Sequence, residues 1–333
     1  MKLEQMPRYP LLCGFTPLQR MENLEQALGC GPLYIKRDDL TPLGLGGNKT
    51  RKLEFLLGDA LAGGADTLVT VGGVQTNHGR LTAAAAAKAG LACTLVLDGA
   101  RPEKLSGNLL LDCLLGASLV YTDGRSTSAV IEETLAALQA AGRAPYFIPE
   151  GGSNAVGSAG YLAMVPELLA QADSLPVPPA RLVCTMGSLG TFAGLWLGAR
   201  AFGAPFSVTG VAVNPTTGYT REKAAALVNE MSAAYGLDIA AAPQDMDIIY
   251  ADAAHDYAGP GYNVPDAKTR GAVELLARTE GIFLDPCYTA KSFRGFCDIA
   301  RELDGGAIFV HTGGTPALWT QEHLDAFAAD YWN

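Results

Sequence analysis

The chain has 333 residues, of which 49% are apolar (AVILMFWYC) and 17% charged, enough to bury a sizeable core and unlike a disordered chain. At roughly 100–200 residues per domain, this length predicts two lobes or one large α/β body. The formal charge of −10, from 24 basic and 34 acidic residues, argues against a nucleic-acid binder, which relies on clustered lysine and arginine.

Residues 1–8 carry no apolar core of a secretory signal, and no run approaches 18 uncharged apolar residues; the nearest, 81–97, contains Lys88 and Gly90. No membrane span is expected. Along the chain, apolar runs, glycine-rich turns and alanine-rich stretches alternate. A glycine turn at 44–50 opens a helix through 53–57. A strand at 67–71 ends at Gly72-Gly73 and is followed by a helix at 81–89. A strand at 91–97 precedes a helix at 108–115, and a strand at 118–121 precedes one at 129–141. In the second half the pairs are 180–185 with 191–202 and 207–213 with 221–235, and 307–311 is a late strand. Strands alternating with helices predict βαβ units and a mostly parallel sheet with helices on both faces. Pro149-Glu150-Gly151-Gly152-Ser153-Asn154 and the proline-rich 175–179 read as boundaries. They imply a large domain of 1–50 plus 161–333 with a small domain, 51–160, inserted in it. The seven cysteines (13, 30, 93, 113, 184, 287, 297) form an odd set with no CxxC pair, read as buried free thiols in a reducing cytoplasm. No metal-ligand spacing appears.

Ligands of open α/β sheets bind beyond the carboxyl ends of the strands, so four turns carry the functional reading. Gly44-Leu45-Gly46-Gly47-Asn48-Lys49-Thr50 clears space around a lysine at a helix mouth. Asn48 stands where a nucleotide-binding P-loop needs glycine, and a plain tight loop fits the same residues. Gly72-Gly73-Val74-Gln75-Thr76-Asn77-His78-Gly79 can hold an anion on N–H groups at a helix start, or Thr76 or Asn77 can simply cap that helix. Met186-Gly187-Ser188-Leu189-Gly190-Thr191 suits a phosphate but does not match the dinucleotide fingerprint. The fourth, Phe309-Val310-His311-Thr312-Gly313-Gly314-Thr315-Pro316, lies downstream of Asp285-Pro286-Cys287-Tyr288-Thr289-Ala290-Lys291. A lysine beside an anion-binding turn, a phosphate cup and nearby tyrosines together fit pyridoxal 5′-phosphate, whose aldehyde needs a lysine and whose phosphate needs a cup.

Gly46-Gly47-Asn48-Lys49-Thr50-Arg51-Lys52-Leu53-Glu54, Gln75-Thr76-Asn77-His78, Asp285-Pro286-Cys287-Tyr288 and His311-Thr312-Gly313-Gly314 occur in an order that resembles the D-cysteine desulfhydrase / 1-aminocyclopropane-1-carboxylate deaminase family. Thr16-Pro17-Leu18 and Tyr34-Ile35-Lys36-Arg37-Asp38-Asp39 extend the resemblance to residues 10–320. It implies a fold-type II, tryptophan-synthase-β-like architecture of two open twisted mostly parallel sheets, with pyridoxal phosphate on Lys49. It puts Asn77 at the cofactor's 3′-oxygen and Thr312 near the pyridine nitrogen. The phosphate cup would be Gly187, Ser188, Leu189, Gly190 and Thr191. The substrate would meet Thr76, Asn77, His78, Tyr257, Tyr262, Tyr288 and Thr289, with Lys49, Thr76 and Tyr288 catalytic. A homodimer and a small amino-acid substrate follow from the same resemblance.

Three positions depart from the family pattern: Thr76 for a serine, which sets an extra methyl at the substrate, Leu189 for a glycine of the cup, and Leu81 for a glutamine. Ring-opening deaminases carry glutamate after the pocket tyrosine and leucine before the late glycine pair. Thr289 and Thr312 here are similar to the desulfhydrase pattern, and a hydroxyl supports the ring nitrogen less than a carboxylate does. The expected reaction is α,β-elimination, with the Lys49 amine removing the Cα proton and D-cysteine giving pyruvate, hydrogen sulfide and ammonia. L-Cysteate, a halogenated alanine or 1-aminocyclopropane-1-carboxylate are alternative substrates. A P-loop-like nucleotide binder and a catalytically silent cofactor-binding protein are the readings from other classes.

Overall fold

Apolar β-rich runs alternate with alanine-rich helices in space as in sequence. The computed structural model describes residues 3–214 and 218–332; Met1 and Lys2 of the N-terminal segment read above lie outside them. Among the described residues the strands are β1 (Leu18–Arg20), β2 (Leu33–Lys36), β3 (Thr67–Gly73), β4 (Ala92–Asp98), β5 (Ser118–Tyr121), β6 (Pro145–Ile148), β7 (Pro179–Met186), β8 (Ser207–Ala212), β9 (Ile248–Ile249) and β10 (Gly306–Val310). They form a six-stranded sheet ordered β1-β2-β10-β7-β8-β9 and a four-stranded sheet ordered β5-β4-β3-β6. Every pairing is parallel except β1 with β2, as expected from helical crossovers. The four-stranded sheet draws all its strands from residues 67–148.

Several elements escape sequence reading, for physical reasons. The strand β2 contains Lys36, a charge that argues against a central strand until its partner is seen: its fully buried ammonium pairs with Glu167. The helix Ala155–Leu162 is not among the expected helices, and its two glycines weaken the local helical signal. Gly160, together with Gly194, lets three helices touch backbone to backbone. A Cβ on Gly160 would lie 2.2 Å from the carbonyl oxygen of Arg51, and one on Gly194 of the helix Gly190–Ala201 would lie 2.5 Å from that of Ser158. The helix expected from residue 81 begins at Asn77, because Thr76 caps it by accepting the Gly79 N–H at 3.3 Å. The expected domain break at residue 50 falls inside the helix Lys49–Ala62; the preceding glycines are the turn.

Apolar cores lie on both faces of the large sheet, one around Phe192 and Leu182 and one around Phe293, Phe296 and Phe309, and a third lies under the small sheet around Leu56, Leu68 and Leu95. All seven cysteines are free; Cys93, Cys184, Cys287 and Cys297 are buried as expected, whereas Cys13 and Cys113 are exposed and Cys30 is half-buried. No described helix is long and apolar enough to cross a membrane.

One buried ionic knot ties the two halves to the N-terminal segment. Arg51 spans Asp38 (2.8 and 2.9 Å) and Glu167 (2.9 and 2.9 Å). Tyr161 donates to Asp38 at 2.6 Å, and Lys36 donates to Glu167 and to Gln171. Burial alone would raise the Asp38 carboxyl, yet Arg51 holds it below its ordinary value. Two cations against two carboxylates leave the knot neutral, which is what permits its burial. Replacing Arg51 by Met should strand a fully buried Asp38 and cost about 3–5 kcal/mol, read from urea unfolding. A loss below about 1 kcal/mol would contradict this account of the knot.

Candidate active site

The carboxyl ends of β3, β4, β6, β7, β8 and β10 converge on a cavity of about 730 Å³. Lys49, first residue of its helix, points into it, and its Nζ donates to Asn48 Oδ1 at 3.1 Å. Asn48 in turn donates through Nδ2 to Thr191 Oγ1 at 3.0 Å and through its backbone to the Thr312 carbonyl at 3.0 Å. It thereby joins three of the four turns. The glycine loops before Lys49 and after β10 lie face to face: Gly313 has φ +82°, and a Cβ there would sit 2.6 Å from the Gly47 Cα. Behind them the buried Arg80 donates to the carbonyls of Gly44 and Gly46. Leu81 packs on the same glycines, so this departure fills an apolar gap and does not reach the cavity. Burial lowers the Lys49 amine to about 8, partly offset by Glu150 and Asp285.

The turn after β7 forms a cup. Gly187, Ser188 and Thr191 line the cavity, while Leu189 and Gly190 do not. The Leu189 side chain packs into the core with its backbone in the ordinary helical region, so this position does not require glycine. The Gly190 N–H donates to Ser153 Oγ at 3.0 Å, and Ser153 donates to Ser188 at 2.9 Å. Next to them lies Lys52, fully buried, its Nζ donating to the Gly151 carbonyl at 2.9 Å. Among the described residues no carboxylate pairs with it; burial and Lys49 push its pKa far down.

Thr76, Asn77 and His78 line the opposite wall. The Thr76 methyl turns toward Gly79, whose missing Cβ would lie 2.5 Å away. The extra methyl expected at the substrate is thus absorbed by a glycine. Asn77 accepts through Oδ1 from Asn108 Nδ2 at 2.9 Å, which fixes its amide and leaves its Nδ2 as the free donor. Burial, with Lys49 and Lys52, keeps His78 neutral. Tyr262 and Tyr288 meet edge to face across the cavity, centroids 5.8 Å apart, and burial keeps both phenols protonated. Thr312 also lines it.

Tyr257 and Thr289 lie outside the lining. The Tyr257 hydroxyl is turned away to Asp298 at 2.8 Å. Thr289 is locked to Asp285: its hydroxyl donates to Oδ2 at 2.6 Å and receives the Asp285 N–H at 2.8 Å. The buried Asp285 also accepts the N–H groups of Cys287, Tyr288 and Thr289, fixing the turn that presents Tyr288. Glu150, Gly151, Asn48 and Asn214 line the cavity without having been singled out as site residues. For Glu150 and Gly151 the signal was present: the glycine pair of Pro149-Glu150-Gly151-Gly152-Ser153-Asn154, taken only as a domain boundary, directly follows β6.

The fold and this cavity define a pyridoxal-phosphate enzyme. The chain belongs to the family described as pyridoxal-phosphate dependent enzyme, whose profile matches residues 10–313. It is 41% identical over 328 residues to a protein of Yersinia enterocolitica named D-cysteine desulfhydrase, covering 96% of this chain and 97% of that one. A solved structure described as an ACC deaminase homologue superposes with a TM-score of 0.88 at 36% identity, covering 98% and 97%. A fungal L-serine ammonia-lyase from Rhizomucor miehei, at 19% identity and a TM-score of 0.65 over 96% and 98%, shares the fold.

The residues present fit the cofactor: a depressed amine faces the cavity, and a hydroxyl-lined helix N-terminus lies beside a buried lysine that lacks an anion. The Lys49 value has a direct consequence. An ordinary lysine near 10.5 is almost wholly protonated at neutral pH, whereas an amine near 8 gains its nucleophilic form as pH rises through 8. The rate at which cofactor-free protein captures an aldehyde should therefore rise to a midpoint near 8. A midpoint near 10.5 would show that burial does not act on Lys49.

Proposed function

We propose that the protein catalyses α,β-elimination from a small β-substituted amino acid, with D-cysteine the leading substrate. The observation that carries the reading is the Lys49 amine, lowered to about 8 at the wall of a cavity that Tyr288 also lines. Such an amine accepts and returns a proton near neutral pH. When bound, the cofactor supplies an electron sink for the pair left at Cα.

In this reading the N–H groups after Thr76 hold the substrate carboxylate, and Asn77, oriented by Asn108, donates to the cofactor ring. Gly187, Ser188 and Thr191, backed by Lys52, hold the phosphate. Lys49 takes the Cα proton, the Cβ–S bond breaks with its electron pair leaving on sulfur as hydrosulfide beside the Tyr288 hydroxyl, and the Lys49 ammonium returns the proton that makes hydrogen sulfide. Released aminoacrylate then reacts with one water to give pyruvate and ammonia. Thr312 offers the cavity a hydroxyl rather than a carboxylate. That suits departure of a good leaving group better than opening of an unactivated ring. The desulfhydrase name of the Yersinia enterocolitica relative supports the same substrate. The name of the ACC deaminase homologue supports ring opening as the second reading. A homodimer, residence in the cytoplasm and a small lobe of 51–160 complete the proposal. Exposed Phe15, Leu40 and Leu45 support the first, free exposed thiols the second, and the separate sheet of 67–148 the third.

A screen for ammonia and 2-oxo-acid release should include D-cysteine, L-cysteine, L-cysteate, D-serine and 1-aminocyclopropane-1-carboxylate. D-Cysteine should give pyruvate and hydrogen sulfide in equal amounts, and Lys49→Ala should lower turnover by about 10²–10⁴-fold. Faster release of 2-oxobutyrate from the cyclopropane substrate than of pyruvate from any cysteine would overturn the elimination reading.

A further inference from the structure

The mouth of the cavity bears on which β-substituents the site admits. Glu150 stands two residues beyond β6 and lines the cavity with Lys49, Tyr262 and Tyr288. Among the described residues its side-chain hydrogen-bond partner is the Tyr219 hydroxyl, which donates to Oε2 at 2.6 Å. That donor is neutral, so it pins the carboxylate without cancelling its charge. The charge reaches inward: Glu150 is the strongest influence raising Lys49 against burial, and it acts on the Tyr262 phenol as well. A second carboxylate, Asp98 at the end of β4, lines the same cavity.

Set against them, the basic side chains of the lining are Lys49, which the cofactor occupies, and His78, which is neutral. An amino acid entering on the cofactor brings its α-carboxylate to the Thr76–His78 wall. Any second negative charge on its β-substituent would find no further cation among the described lining residues and would face Glu150.

We propose that Glu150 is a specificity-determining residue, a charge filter that favours amino acids with a neutral β-substituent (thiol, hydroxyl or halide) and rejects those with an anionic one such as a sulfonate or carboxylate. The proposal rests on the reading of the cavity as an amino-acid site. It does not require elimination to occur. At a solvent-open mouth, two like charges several ångströms apart interact through a high effective dielectric, so the discrimination is about tenfold rather than absolute.

The test is a binding titration of the holoenzyme, following the change in the cofactor's visible absorbance with alanine and with aspartate of the same enantiomer. In Glu150→Gln, which keeps the side-chain volume and can still accept from Tyr219, the ratio of the Kd for aspartate to that for alanine should fall about tenfold. In the parent protein, raising salt from about 0.05 to about 0.5 M should lower the same ratio several-fold by screening the carboxylate, and this arm does not depend on how the variant folds. A ratio within twofold of the parent in Glu150→Gln, or one that ignores salt, overturns the filter. If no amino acid releases a 2-oxo acid, the elimination reading fails while the binding ratio still reports on Glu150. Tighter binding of aspartate than of alanine by the parent would overturn the filter outright.

Discussion

The guanidinium of Arg51 occupies a place where an unpaired charge could not remain. It lies two residues after Lys49 on the same helix, 3% exposed, and is satisfied by carboxylates from two distant segments, Asp38 ahead of the helix and Glu167 beyond the small sheet. A buried ion pair of this kind adds little net stability, because desolvation offsets most of the attraction; breaking it is what costs. Its effect is therefore on geometry. The segment entering from Thr16, the first turn of the Lys49 helix and the helix Met164–Ala172 can meet in only one register. The backbone-close packing at Gly160 and Gly194 then sets the cup helix against the same turn. Placement of Lys49 opposite Ser188 and Thr191 follows from that register.

Within the cavity the same principle operates with the balance reversed. The knot under the helix is neutral and satisfied, whereas among the described residues the amines of the site have neutral acceptors and no carboxylate. Lys49 has an amide oxygen, Lys52 has a carbonyl, and Asn77 has its acceptor side occupied by Asn108. These are groups whose burial becomes favourable when an anionic, hydrogen-bonding cofactor arrives, so cofactor binding and stability are coupled. Asp285 shows the opposite choice. Burial raises its carboxyl, yet side-chain and backbone donors around Thr289 surround it, and it serves to hold the turn that presents Tyr288.

Much of this was legible in the sequence because turns at strand ends have a recognisable composition. The four glycine-rich turns all reach the cavity, and the alternation of elements gave a mostly parallel sheet with flanking helices, while its division into two sheets came only from the family resemblance. What stayed hidden depended on distant partners. Lys36 disguised a central strand because Glu167 is 131 residues away, and the glycines of Ala155–Leu162 hid a helix because the helices packed on it cannot be seen locally. Thr289 follows the pocket tyrosine directly, yet the helix that starts there turns it inward onto Asp285. Thr76 looked like an altered substrate contact, but its added methyl answers to Gly79. Adjacency along the chain is a poor guide where a helix begins, since each residue there turns by about 100° from the last.

The central claim is that one lysine, set at a helix mouth by a buried ionic knot, carries the chemistry. Borohydride reduction of the purified holoenzyme followed by peptide mapping tests it most directly. The account requires the cofactor to be fixed on Lys49 and nowhere else. Recovery of the label on Lys52 or Lys291, both buried and both lowered in pKa, would contradict it.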